Sequence, residues 1–133
     1  MIRLTVLYPN EEGAFFDWDY YINIHTPLAK RCFGNAVVRW EIDRGIHGEQ
    51  SEDAAPYMVA AFITLTSISA LDEVRATHGI KLKADFKNYT NVYPVYLVTN
   101  IREGYSYSGY TEQDKMNEFF QSNKDRLDYE KNG

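Results

Sequence analysis

The sequence predicts an α+β domain with the element order β-α-β-β-α-β, and three observations carry that prediction. Apolar residues alternate at 2–8, they recur at helical spacing over 18–32 and again over 71–86, and the run 57–66 is apolar on both faces. This order is the split βαβ arrangement of a ferredoxin-like sandwich, with both helices on one face of an antiparallel sheet.

The first strand sets Ile2, Leu4, Val6 and Tyr8 against Arg3, Thr5 and Leu7, and Pro9, Asn10 and Gly13 supply the turn after it. Asp17 is placed to cap a helix, with Asp19 in its first turn. The apolar face of that helix runs Trp18, Tyr21, Ile22, His25, Leu28, Ala29 and Cys32. Pro27 removes a backbone donor, frees the Asn23 carbonyl and disfavours helical geometry at Thr26, which predicts a kink or break beside His25. Gly34 ends the helix.

A second strand is expected from Ala36 to about Ile46, with Val38, Trp40 and Ile42 on one face and Arg39, Glu41 and Asp43 on the other. The polar stretch from His47 to Pro56 connects it to the third strand, Tyr57 to Thr66, with Tyr57, Val59, Ala61, Ile63 and Leu65 on one face and Met58, Ala60 and Phe62 on the other. Ser69, with Asp72 three residues on, reads as a capping box for a second helix whose stripe is Leu71, Val74, His78, Leu82 and Phe86. Asn88 to Asn91 make a polar turn, and Pro94 to Ile101 the last strand.

Two helices cover one face of such a sheet. The apolar residues on the other face of the third strand need a second surface, and a second copy of the chain, packed sheet on sheet, supplies it. A homodimer is therefore expected, the alternative being that the tail folds back over that face. The domain is placed at 1–101 and the tail at 102–133. In the tail, Tyr105, Tyr107 and Tyr110 lie among Ser and Gly, and Thr111 with Asp114 opens a short amphipathic helix through Met116, Phe119, Phe120 and Leu127.

Composition narrows the function. One domain of 133 residues, 44% hydrophobic and 25% charged, is an ordinary soluble globular protein. A net charge of −5 argues against a nucleic-acid surface. The single cysteine, Cys32, excludes an internal disulfide framework and a cysteine-rich zinc site. No apolar run reaches the ~20 residues that span a bilayer and no signal peptide is visible, so no membrane partner is expected and a cytoplasmic location is. Eleven tyrosines and an aromatic content of 15% favour planar or hydrophobic ligands as well as packing.

His25 is the sharpest chemical candidate. On the inward face of the first helix, near Trp18 and Tyr21, its imidazole would be neutral near pH 7 and able to take or give a proton. A core histidine bonded to the carbonyl that Pro27 frees is the plainer reading. His78, on the second helix, and Asp85, one heptad beyond it, could approach the same cavity. A two-histidine, one-carboxylate metal site is formally available, but no HxxxH spacing supports it and no metal is expected. His47 is a surface residue by context, and Cys32 has no adjacent activator. Asn88, Tyr89, Thr90 and Asn91 would serve equally to cap element ends or to fix a ligand's polar group. Walker, Rossmann, nucleophile-elbow and paired-carboxylate signatures are absent.

Together these residues make a resemblance. The segment Tyr20-Tyr21-Ile22-Asn23-Ile24-His25-Thr26-Pro27-Leu28 is similar to the Y-Y-x-x-x-H-x-P-L segment of the EthD family, named for ethyl tert-butyl ether degradation. Val6 to Asn10 resembles that family's opening strand. His78 to Asp85, then Asn88-Tyr89-Thr90-Asn91 with Pro94, resembles its second helix and N-Y-T-N-x-x-P turn. The match runs from Met1 to about Ile101, and departs from the pattern at Lys87 and Tyr93.

The resemblance implies a dimeric α+β barrel, two ferredoxin-like subunits with their sheets back to back. It further implies kinship with small oxygenases, isomerases and dehydratases that often need no metal or organic cofactor, and with haem-handling proteins. His25 would then be the acid/base or ligand-binding residue, with His78, Asn88 and Tyr89 as companions; Trp18 and Tyr21, which flank His25 on the helix stripe, are the other substrate-binding candidates. Two readings stand at this point. One is an enzyme, without cofactor, that binds a hydrophobic or aromatic compound between helices and sheet and moves a proton with His25. The other is an accessory protein that carries such a ligand, or haem, without turning it over.

Overall fold

Strand β1 (Ile2–Pro9) organises the sheet, because both β3 (Tyr57–Leu65) and β4 (Val95–Asn100) pair with it antiparallel. Strand β2 (Val37–Arg44) pairs antiparallel with β3, giving the order β2-β3-β1-β4. In this computed structural model, residues 1–104 are described, and the expected tyrosine strap and amphipathic helix of the tail lie outside them. The unit containing the sheet spans Met1–Arg102.

Helical segments α1 (Trp18–Tyr20), a π-helical turn (Tyr21–His25) and α2 (Thr26–Phe33) follow one another without interruption between β1 and β2. Helix α3 (Ile68–Ala84) joins β3 to β4, through a short 3₁₀ turn at Phe86–Asn88. The architecture is the α+β, ferredoxin-like one, its β-α-β-β-α-β order as expected. Period-two burial shows which sheet face meets the helices. Ile2, Leu4, Val6 and Tyr8 of β1 and Val59, Ala61, Ile63 and Leu65 of β3 are all buried, and Tyr21, Phe33, Leu71 and Val74 from the helices join the same core.

Four local expectations need correction. Pro27 does not break the first helix: His25 and Thr26 both keep right-handed helical angles. The chain instead widens into the π turn, where the Thr26 N–H bonds to the Tyr21 carbonyl, and Pro27 falls in the first turn of α2, where a missing donor costs nothing. Val38 does not share a face with Trp40 and Ile42. It is the extra residue of a bulge between the pairs Val37–Leu65 and Arg39–Thr64, and it is exposed. A second irregularity, where Tyr8 pairs with Val59 but Pro9 with Tyr57, takes Met58 out of the outward-facing set, and it packs against the core. Finally, α3 is capped by Ser67, whose hydroxyl accepts from the Ala70 N–H at 3.1 Å, while Ser69 sits within the helix and bonds to Ser67.

Gly34 behaves as expected. It closes α2 at a φ of 56°, in the left-handed half of the map.

The cap assignment is open to direct measurement. Ser67→Ala should lower stability by about 1 kcal/mol in urea denaturation, and Ser69→Ala should change it by much less.

Candidate functional site

The site begins with two tethers that tie the chain's distant ends. Thr90 and Asn91, in the turn before β4, hold the loop that leads into α1. The Thr90 hydroxyl donates to the Phe15 carbonyl at 2.7 Å, the Asn91 amide donates to the Gly13 carbonyl at 2.9 Å, and its oxygen accepts from the Phe15 N–H at 2.8 Å. The Asp17 N–H adds a 2.7 Å bond to the Tyr89 carbonyl. Asp17 then caps α1 by accepting from the Tyr20 N–H. The start of the first helix is thus fixed against the segment that follows α3. Of the two roles open to this polar turn, capping and bracing is the one its Thr and Asn side chains perform.

That bracing brings the π turn against Asp85, the residue that closes α3. One oxygen of Asp85 meets His25 Nδ1 at 2.9 Å; the other accepts from the Tyr20 hydroxyl at 2.6 Å and the Asn88 amide at 2.9 Å. Burial alone would raise the Asp85 pKa, but the donors from Tyr20, Asn88 and His25 outweigh it and hold the group below its ordinary value. An ionised Asp85 keeps the proton of a neutral imidazole on Nδ1, so the lone pair lies on Nε2.

His25 itself is buried, its ring stacked on Tyr21 at 5.6 Å and close to Tyr89 at 4.6 Å. This removal from water lowers its pKa, and the Asp85 carboxylate only partly restores it. The imidazole is neutral at pH 7. Its Nε2 lies 3.4 Å from the Tyr89 hydroxyl, which in turn is 2.8 Å from the Tyr8 hydroxyl. Both phenols are buried, and desolvation pushes each pKa far up, so each keeps its proton.

His25 also forms part of the wall of a cavity of about 450 Å³ between the helices and the sheet. Leu4, Val6 and Tyr8 of β1, with Ala61, Ile63 and Trp40, make its floor; Ala29 and Phe33 of α2 face Leu71 and Leu82 of α3 across it. This size and apolar lining match a small-molecule site. Tyr21 lines the cavity with His25. The other expected companions do not. Trp18 lies under the Arg44 guanidinium, 5.7 Å away, beside a different hollow. His78 is half-buried on α3, away from the cavity lining, and does not join Asp85. Asn88 is exposed and works through Asp85, and Tyr89 is buried behind His25. Among the described residues, no three His, Cys, Asp or Glu side chains come together as a metal set. Tyr8 and Tyr20 were not singled out by the sequence; only pairing across the fold places their hydroxyls here.

Comparison with known proteins follows this geometry. No protein-family model matches the sequence, and no curated protein does either. Among solved structures, an EthD-like protein from Ralstonia eutropha JMP134 superposes with a TM-score of 0.74 at 28% identity, over 79% of this chain and 95% of that one. The chain is similar in fold and in sequence to that EthD-like protein. An ethyl tert-butyl ether degradation (EthD) family protein from Bacillus halodurans C-125 shares the fold, with a TM-score of 0.59 at 15% identity over 75% of this chain and 97% of that one. In this chain the two segments that resemble the EthD motifs, Tyr20–Leu28 and Asn88–Asn91, meet at Asp85. No helix among the described residues is long and apolar enough to cross a membrane.

The balance of burial against the carboxylate can be measured. NMR titration should place His25 below its ordinary 6.5, and Asp85→Asn should move it lower still, because the carboxylate is what holds it up. With its folded pKa depressed, neutral His25 contributes stability that is present above 6.5 and lost as pH falls through that value toward the folded one. A His25 pKa above 6.5 would mean that Asp85, not burial, dominates.

Proposed function

We propose that this EthD-like protein is an enzyme, without organic cofactor or metal, that binds a small hydrophobic or aromatic compound in the cavity and moves a proton with His25. The observation that carries the reading is the His25–Asp85 pair on the wall of an apolar cavity, with Nδ1 bound and Nε2 holding the lone pair. Isomerisation, dehydration and cofactor-independent oxygenation share a first step: a base removes a proton from a carbon made acidic by a neighbouring carbonyl or phenol. A neutral imidazole in a dry site is suited to that step, and the carboxylate behind it stabilises the imidazolium that results. Tyr21 packs the ring in place. Asp85 is a positioning residue, with Tyr20 and Asn88 orienting it. The work is assigned to the cytoplasm, within a degradative or secondary-metabolic pathway.

Haem ligation at Nε2 is the second reading. The Tyr89 hydroxyl, 3.4 Å from Nε2, would have to turn aside for an iron and for a substrate proton alike, so experiment decides between the two.

Proton transfer is tested with 2-tetralone, an enolisable aromatic ketone, by following deuterium entry from solvent by NMR. Wild type should accelerate exchange, and His25→Ala should lose about 10²–10⁴-fold of that rate while still binding the ketone. Equal exchange by variant and wild type would return His25 to the core. A Soret shift with haemin that vanishes in His25→Ala would replace proton transfer by haem ligation.

We propose also that the protein is a homodimer through the sheet face that the helices leave bare. Leu7, Phe62, Val95 and Leu97 share that face, and Leu97 is 53% exposed. An antiparallel sheet of this kind buries such a face against its equal. Sedimentation should show a dimer at micromolar concentration, and Leu97→Glu should shift it toward monomer. A wild-type monomer would overturn the pairing.

A further inference from the structure

The cavity that holds His25 has a charge pattern at its mouth that the proton-transfer reading leaves unused. Nineteen acidic residues outnumber fourteen basic ones in this chain, yet no Asp or Glu lines the cavity among the described residues. Arg75 and Lys83 do, both from α3 and both exposed, with the 89%-exposed Ile80 between them marking the side on which the cavity opens. Neither cation is in an ion pair among the described residues, where the pairs found are His25–Asp85 and Arg39–Glu41. The negative end of α3 explains a lysine in its last turn, but not an arginine in its middle.

The field of Arg75 reaches the cavity wall. Burial and the neighbouring Tyr93 push the Tyr96 phenol up to about 12, and the guanidinium of Arg75 pulls against them. The helix surface between the two cations is also unusually open. Gly79 lines the cavity one turn from each, about 6 Å along the axis. A Cβ there would meet nothing within 4 Å, so packing does not require the glycine. In a helix interior it costs about 1 kcal/mol relative to Ala. The space it leaves is on the path between solvent and the apolar interior.

We propose that the ligand of this cavity is an amphiphilic acid: a hydrophobic, ring-sized body that enters toward His25, bearing an anionic group that Arg75 and Lys83 hold at the mouth beside Gly79. This names the substrate class of the site and rests on the reading that the cavity binds a small hydrophobic compound. The long stems of both cations line the apolar rim while their charged heads stay in water, ready for the anion. The acid also orients the body, since one end is tethered and the other must go inward.

The test compares 2-naphthoate with 2-naphthamide, which have the same ring system and differ in charge, by calorimetric titration of the full chain. Wild type should bind naphthoate about tenfold more tightly, the scale of one charge-assisted hydrogen bond. Arg75→Gln and Lys83→Gln should each erase most of that preference while leaving naphthamide binding unchanged, and added salt should weaken naphthoate alone. Gly79→Phe, at a position where an added Cβ meets nothing within 4 Å, should weaken both. Equal affinity for the two probes in wild type, or naphthoate binding untouched by the Gln or Phe variants, overturns the acid proposal and leaves the cavity reading standing. Failure of both probes to bind overturns the cavity reading and this inference with it.

Discussion

The Asp85 carboxylate is the interaction on which the rest of the site depends. It is largely buried, and a charged group taken out of water is strongly destabilising unless donors replace its hydration. Three do, and two of them come from the first helical run, 60 and 65 residues away in the chain. The carboxylate is therefore a cross-link between the two helices as well as the partner that selects the imidazole's tautomer. Removing any one donor leaves the charge less satisfied, so the positions of Tyr20, His25 and Asn88 are coupled through a single group.

That coupling also accounts for the π turn. A regular helix carrying a proline at 27 would set its ring against the Asn23 carbonyl. Widening at Tyr21–His25 relieves the clash without ending the helix, and it places the two donors of that run, Tyr20 and His25, at the turn's two ends. The turn is held from outside by Thr90 and Asn91, which grip the loop ahead of α1, so the local irregularity is braced by a non-local one. Sequence and packing here serve the same end: a rigid imidazole rather than a freely rotating one.

How much of this was legible beforehand follows from which interactions are local. Periodicity of 2.0 and 3.6 is local, and it revealed the element order, the inward faces of β1 and β3 and the caps Asp17 and Gly34. Bulges are decided by partners, so Val38 and Met58 were assigned to the wrong faces. Ser67 and Ser69 are both of a residue type that caps helices well and stand only two apart in the chain, and it is the Ser67 hydroxyl that takes the Ala70 N–H. His25 and Tyr21 were visible as an inward stripe; Tyr8 looked like one more strand residue because its hydroxyl's partner is 81 residues away. Asp85 did carry a signal. An acid at the C-terminal end of a helix opposes the helix dipole at about 0.3–1 kcal/mol, a choice that stability alone does not favour.

The aromatic excess acquires a definite meaning in this setting. Tyr8, Phe16, Tyr21, Phe86 and Tyr89 meet mostly edge to face, with centroids 4.9 to 6.5 Å apart, and three of them, Tyr21, Phe86 and Tyr89, pack against the imidazole and keep it from water. The shell and the carboxylate act on His25 in opposite senses. The aromatic packing alone would lower the His25 pKa further and leave its tautomer undefined; Asp85 alone would raise that pKa. Only the combination leaves a neutral ring with its lone pair on a chosen nitrogen. The buried tyrosines keep their own protons through the same desolvation, so they donate hydrogen bonds and do not compete as bases. Among the described residues of this shell, the base that lines the cavity is His25.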